Sequence, residues 1–240
     1  MVRELVLWKS GVPIFRPSGG KGREQISAKA MSSSWTKDES SYRIKAMNVL
    51  EHIAVPLSKF INRPDGEDEL HAFVKGYSCP LNPDVENFLT HTAINNQRIG
   101  ISRTNLVYAI TDAGRVLVGY YSLALQVLDL DRITSKSLRK KITGFKRENK
   151  LGAAVYLIGQ MGKNFHNGAN KLISGQELFL LAMQDILKAQ QIVGGRIVVV
   201  ECKNDDKLRK FYEETLGFQL IDTADDESML KYMTMISAYQ

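Results

Sequence analysis

The sequence predicts an α+β fold, a mixed sheet with helices packed on it. Three observations predict it. Short β-branched runs bounded by glycine recur, as in GRIVVVECK (195–203). Apolar residues at helical spacing recur between such runs, as Phe179, Ala182, Met183, Ile186 and Leu187 do in GQELFLLAMQDILKAQQ (175–191). Both kinds of strand connection are present: Asp112-Ala113-Gly114 marks a hairpin turn, whereas residues 155–203 read strand, helix, strand.

In chain order, residues 1–46 come first and look unlike the rest. RPSGGKGREQ and MSSSWTKDESS are rich in Gly, Ser and charge and lack apolar periodicity. They predict a basic, poorly ordered or loosely packed extension, with one domain over residues 47–240. Pro-Ser-Gly-Gly-Lys-Gly (17–22) lacks the spacing and the Ser/Thr of a nucleotide phosphate loop. HIAVPLSKFI (52–61) predicts a strand followed by a turn, and residues 68–75 a short helix or loop. PDVENFLTHTAINN (83–96) predicts a helix opened by Pro83, with Val85, Phe88, Leu89 and Thr92 on one face. Residues 105–111 and 116–128 are the two strands of the hairpin. Residues 135–145 form a basic helix or excursion, with Lys136, Arg139, Lys140, Lys141 and Lys146 close together.

The most informative stretch is 155–218. VYLIGQMGKN (155–164) is an apolar run too short for a packed helix. FHNGANKLISG follows without an acidic residue and opens the 175–191 helix. Such a loop presents unpaired N–H groups at the positive end of a helix, which favours a phosphate there, and Lys171 and Lys163 add charge. After the 195–203 strand, Asn204 predicts the N-cap of a helix carrying Leu208, Phe211, Tyr212 and Thr215 on one face. Leu216-Gly217-Phe218 ends that helix on a glycine and turns into another strand. Residues 229–236 predict the last strand.

This block resembles the acyl-CoA core of the GNAT N-acetyltransferase superfamily. The residues that carry the likeness are Leu157 to Asn164, Asn170-Lys171-Leu172-Ile173-Ser174-Gly175, Asn204, and Phe211 to Phe218. The family's pyrophosphate loop reads Gln/Arg-x-x-Gly-x-Gly/Ala. Here Asn170 stands at its first position and Ile173 at its first glycine. The resemblance implies a GNAT-like mixed, mostly antiparallel central sheet, splayed in the middle and flanked by helices. It implies acetyl-CoA as co-substrate. Backbone groups of Met161, Gly162 and Lys163 would meet the pantetheine, and Asn170, Lys171, Ile173, Ser174 and Gly175 the pyrophosphate. Asn204 would touch the pantetheine arm, and Tyr212 would hand a proton to the departing thiolate, a donation that suits a neutral phenol. Glu201, at the end of its strand, is the candidate general base.

Composition bounds the partners. The chain has 240 residues, 44% hydrophobic and 24% charged, ordinary for a globular protein. No apolar run approaches a membrane span and no signal peptide is visible, so the expected location is the cytoplasm. Cys79 and Cys202 make no disulfide framework, and the four histidines lack metal-ligand spacing, so no metal is expected. Of the net charge of +6, residues 1–46 carry +5, with nine Lys/Arg against four Asp/Glu. The balance of +1 on the remaining residues weighs against a nucleic-acid surface on the core, while the cluster from Lys136 to Lys146 weighs for one.

The leading expectation is therefore an N-acetyltransferase that moves an acetyl group directly to a primary amine. The acceptor is a small molecule, a protein amine or an aminoacyl-tRNA. The layout is also similar to that of GNAT toxins that acetylate charged tRNA, which raises an antitoxin partner. A non-catalytic acyl-CoA-binding module is the competing class, favoured by Asn170 and Ile173. A nucleic-acid-binding protein led by the basic arm is a third. An exposed strand edge near the C-terminus allows pairing in a homodimer.

Overall fold

The structure, a computed structural model, describes residues 47–64, 66–144, 152–223 and 228–240. The expected extension over residues 1–46 lies outside the described residues. The strands are β1 (Val49–Pro56), β2 (Arg103–Thr111), β3 (Gly114–Asp129), β4 (Gly152–Lys163), β5 (Ile197–Lys203), β6 (Gln219–Thr223) and β7 (Met229–Met235). They form one sheet in the order β1-β2-β3-β4-β5-β7-β6. Every pairing is antiparallel except β4 with β5. The expected mixed, mostly antiparallel sheet is thus present.

The β2–β3 hairpin closes at Thr111 and Gly114, with Asp112 and Ala113 as the turn. Gly114 has φ +121°, a conformation that side chains rarely adopt. The helices are α1 (Ser58–Ile61), α2 (Gly66–Lys75), α3 (Pro83–Asn87), α4 (Ala93–Ile99), α5 (Lys136–Thr143), α6 (Gly175–Val193) and α7 (Asp206–Lys210). The predicted 83–96 helix is in fact α3 and α4 joined through a π-helical turn, Phe88–Thr92. Thr90 contributes to that widening, because its hydroxyl donates to the Glu86 carbonyl at 3.0 Å and competes with the backbone ladder. A second π-helical turn, Phe211–Thr215, continues α7.

Alternation along the strands sends successive side chains to opposite faces. On one face α6 and the α7 turn bury Val107, Tyr121, Ile158, Phe179, Met183, Val198, Val200 and Tyr232. On the other face lie two separate clusters. The α1–α4 layer buries Leu57, Leu70, Leu89, Leu106 and Tyr120. Helix α5 seats Ile142 and Leu138 against Val155, Ile197, Val199 and Met233. Among the described residues no helix is long and apolar enough to cross a membrane.

One local expectation is corrected. Asn204 does not cap α7; Asp205 does. The Asp205 backbone is extended, and its carboxylate accepts the N–H groups of Lys207 at 2.9 Å and Leu208 at 3.2 Å. A carboxylate also complements the positive helix end, which an amide does not. Asn204 instead continues the strand, donating its N–H to the Ser228 carbonyl at 2.9 Å.

Candidate active site: the gap between β4 and β5

The parallel ladder between β4 and β5 is three residue pairs long, from Tyr156–Val198 to Ile158–Val200. The cause is visible one strand over. Ser122 pairs with Gln160 and Leu123 with Ile158, so Gly159 is an extra residue on β4. Such a bulge bends the strand and increases its twist. Beyond it β4 stays on β3, while β5 stays on β7 as far as Lys203–Met229. The edges at Gln160–Lys163 and Glu201–Lys203 therefore face a gap with backbone groups that no strand pairs among the described residues. A slender chain bearing amides can use them as an added strand would.

The β4 residues divide between the two faces. Met161 packs against the α6 side. Gly162 turns to the other, where a Cβ would lie 2.5 Å from Val85 Cγ1 and 2.6 Å from Tyr77 Oη. Close approach of α3 thus requires glycine there. The Lys163 ammonium donates to the carbonyls of Asn170 at 3.0 Å and Ile173 at 3.2 Å. Burial lowers its pKa below the usual lysine range, against the opposing pull of Glu177.

The loop that follows is held from three sides. The buried Asn164 side chain donates to the carbonyls of Gly76 at 2.8 Å and Leu117 at 2.9 Å, and accepts from the N–H groups of Ser78 and His166. The His52 Nε2 on β1 donates to the Leu172 carbonyl at 2.8 Å. Lys163 is the third. Asn164 and His52 escaped the sequence reading as loop anchors, since all their partners but His166 lie 47 to 120 residues away.

Lys163, Asn170, Lys171, Leu172, Ile173, Ser174 and Glu177 line a cavity of about 500 Å³. Ile173, which stands where the resemblance expects glycine, sends its side chain into the core and is 3% exposed. Its bulk therefore does not fill the cavity. Ser174 and Glu177 form a capping box: Glu177 N–H donates to Ser174 Oγ at 3.0 Å, and Ser174 N–H to the Glu177 carboxylate at 2.7 Å. Hydrogen bonding from the Ser174 backbone N–H, and then from its side chain, holds the Glu177 carboxyl below its usual pKa. The first helical N–H groups, of Gly175 and Gln176, have no partner within the helix. A Cβ on Gly175 would lie 3.1 and 3.2 Å from the Phe211 ring, so the loop rests directly on the aromatic turn.

Tyr212 occupies that turn. Its ring meets Phe211 and Phe218 edge-on, at 5.3 and 5.7 Å, and stacks on Tyr232 at 5.7 Å. Burial raises its pKa well above the usual phenol value, with Cys202 on β5 adding to the effect. Among the described residues none bonds its hydroxyl. Glu201 lies on the opposite face, two residues beyond Val199, and pairs with Lys231 at 3.0 Å while accepting from Gln126 at 3.3 Å. Asn204 is exposed at the end of β5. The structure thus gathers Lys163, Asn170, Lys171, Ile173 and Ser174 around one cavity, with Gly175 at its edge. Met161 and Gly162 lie on one side of the gap, and Glu201 and Asn204 on the other. Cys79 and Cys202 are free and buried. Among the described residues no group of His, Cys, Asp and Glu is placed to hold a metal ion.

No protein-family model matches the sequence. No curated protein matches it either. The fold does match solved structures. One is AtaT complexed with acetyl-methionyl-tRNAfMet, at 20% identity and a TM-score of 0.55, covering 79% of this chain and 97% of that one. Another is AtaTR bound with AcCoA, at 19% identity and 0.54, covering 78% and 95%. A third is a bacterial toxin, at 14% identity and 0.56, covering 78% and 92%. The chain has the GNAT fold, with the splayed sheet that the resemblance implied.

Proposed function

We propose that this protein transfers the acetyl group of acetyl-CoA to the α-amine of an aminoacyl-tRNA. The observation that carries the reading is the gap between β4 and β5, with a helix-end cavity at its mouth and the Tyr212 turn beside it. Residues 160–163 pair with the pantetheine amides as a strand would. The N–H groups of Gly175 and Gln176, with Lys171, take the pyrophosphate. Lys163 works at one remove: its bonds to Asn170 and Ile173 hold the loop in shape. Asn204 contacts the pantetheine arm.

The chemistry asks little of the protein. The neutral amine attacks the thioester carbonyl, a C–N bond forms and the C–S bond breaks. The amine proton leaves to solvent or to Glu201, and on this reading the face that carries Glu201 receives the acceptor. The thiolate takes the Tyr212 proton, and the phenolate recovers one from water. Support for the acceptor comes from the fold match to AtaT in complex with an acetylated aminoacyl-tRNA, which extends over 97% of that chain. A general amine acetyltransferase would use the same gap and differ in the acceptor alone.

The test is acetyl-CoA-dependent thiol release, screened against small amines, peptides and charged tRNA. Acetyl-CoA should also raise the melting temperature, because a ligand of the native state stabilises it by mass action. No thermal shift at millimolar acetyl-CoA would remove the cofactor assignment. Turnover on small amines with none on charged tRNA would remove the acceptor.

A further inference from the structure

The +1 balance over residues 47–240 conceals a sharp separation. Residues 136–150 hold seven Lys/Arg and one Glu, a net +6 that leaves −5 on the rest of the core. Among the described helices no other carries four cations without an acidic residue. Helix α6 mixes Glu177, Asp185 and Lys188, and α7 with its turn mixes Asp206, Glu213 and Glu214 with Lys207, Arg209 and Lys210. Helix α5 carries no acidic residue. Leu138 and Ile142 fix its inward side against the sheet. Lys136 and Lys140 then point directly outward, one turn and about 6 Å apart along the axis, with Lys141 on a flank. Lys140 and Lys141 are exposed.

Ordinary helix stability accounts for part of this. Cations in the last turn, Lys140 and Lys141, complement the helix dipole. Lys136 in the first turn opposes it, and Lys136 with Lys140 is a like-charge pair at a repulsive spacing. Arg196 adds to the same end, its guanidinium lying over Gly144 where a Cβ would meet it. Arg139 serves the fold as well, donating to the carbonyls of Ile133 and Asp131, which leaves the exposed Lys140 and Lys141 as the cations that dipole complementarity alone accounts for. Position offers a further explanation. Alternation along β5 puts Glu201 on the face that α5 covers through Val199, and Gln126 on β3 reaches Glu201 there. The basic helix therefore borders the side of the gap assigned above to the acceptor.

We infer that α5 is the surface that binds the phosphate backbone of the RNA acceptor, with Lys140 and Lys141 as contacts. The inference rests on the aminoacyl-tRNA reading. Phosphates attract such a surface without regard to sequence and release counterions on binding, so the contacts are countable from salt dependence.

The experiment compares the wild-type chain, Lys140→Gln/Lys141→Gln and Lys140→Arg/Lys141→Arg. Binding of uncharged tRNA is titrated from low to moderate salt, beside acetyl-CoA affinity and turnover on charged tRNA and on a small amine. The glutamine variant should bind tRNA at least tenfold more weakly, with a log–log salt slope shallower by about 1.4–1.8, at about 0.7–0.9 for each lost contact. Acetyl-CoA affinity and small-amine turnover should stay at wild-type values, and the arginine variant should bind as wild type does. Equal tRNA affinity and slope in the glutamine variant, with an active wild type, would overturn α5 as the surface and leave the acceptor reading standing. A wild type that binds acetyl-CoA but neither binds nor acetylates tRNA would overturn both.

Discussion

Replacing Tyr212 by phenylalanine separates chemistry from structure at the proposed site. The ring contacts with Phe211, Phe218 and Tyr232 survive the change. No described residue bonds the hydroxyl, so its removal strands no buried partner, and stability should move by no more than about 1 kcal/mol. What disappears is the proton. Burial has already raised the neighbouring Cys202 thiol to about 11. A coenzyme thiolate released into the same surroundings is likewise a stronger base than in water, and it needs a donor that is still protonated. The raised Tyr212 phenol is protonated throughout the working range. Loss of such a donor typically costs about 10²–10⁴-fold in rate, or about 2.7–5.4 kcal/mol of barrier. The assay is thiol release at saturating acetyl-CoA with the best acceptor, beside calorimetric acetyl-CoA affinity and a melting curve. The expected pattern is a large fall in kcat with affinity and melting temperature nearly unchanged. Wild-type turnover would refute the reasoning and make Tyr212 a packing residue.

Three further outcomes follow from the same contacts. Gly175→Val forces a side chain against the Phe211 ring; it should lower stability by about 1–3 kcal/mol and weaken acetyl-CoA binding, and unchanged melting and affinity would mean that the ring yields freely. Lys163→Met removes the donor to two loop carbonyls; acetyl-CoA affinity should fall at least tenfold in calorimetry, and an unaltered value would show that the loop keeps its shape unaided. Alkaline pH should unfold the protein: burial holds the phenols of Tyr77, Tyr120, Tyr121 and Tyr212 above their usual pKa of 10.0. The native state, in which burial also raises the Cys202 thiol from 9.0 to about 11, therefore keeps protons that the unfolded chain gives up, and stability should be level below about pH 9 and fall above it; a melting temperature that is still level at about pH 11.5 would contradict this.

Local rules carried the sequence a long way. Glycine bounds and β-branched runs located β4, β5 and the hairpin, and apolar spacing located α6 within two residues of its C-terminal end. The loop at Asn170 to Gly175 was legible because a strand, an uncharged loop and a helix follow directly in sequence. Distant contacts were not legible. That His52 holds Leu172, or that Asn164 ties the loop to Gly76 and Leu117, depends on the folded sheet bringing distant residues together. The cap at Asp205 was missed because Asn204 suits that role equally by residue type, and strand pairing to Ser228 decided between them. The near-neutral core was a misleading average, since charge summed over residues 47–240 hides a basic helix against an acidic remainder.

The short β4–β5 ladder has a consequence for how the molecule divides. Everything from β1 to the end of α6 is one unbroken length of chain, and β5, β6 and β7 are another. Three residue pairs, the buried face under α6 and the cluster under α5 join them. Between them lie Gly194 and Gly195, exposed, with φ of +75° and +110°. A chain cut at that junction yields one fragment with the helix-end cavity and another with the tyrosine. Neither holds a complete site, so mixing them should restore activity in proportion to their association, which makes the fold a natural two-part reporter of proximity.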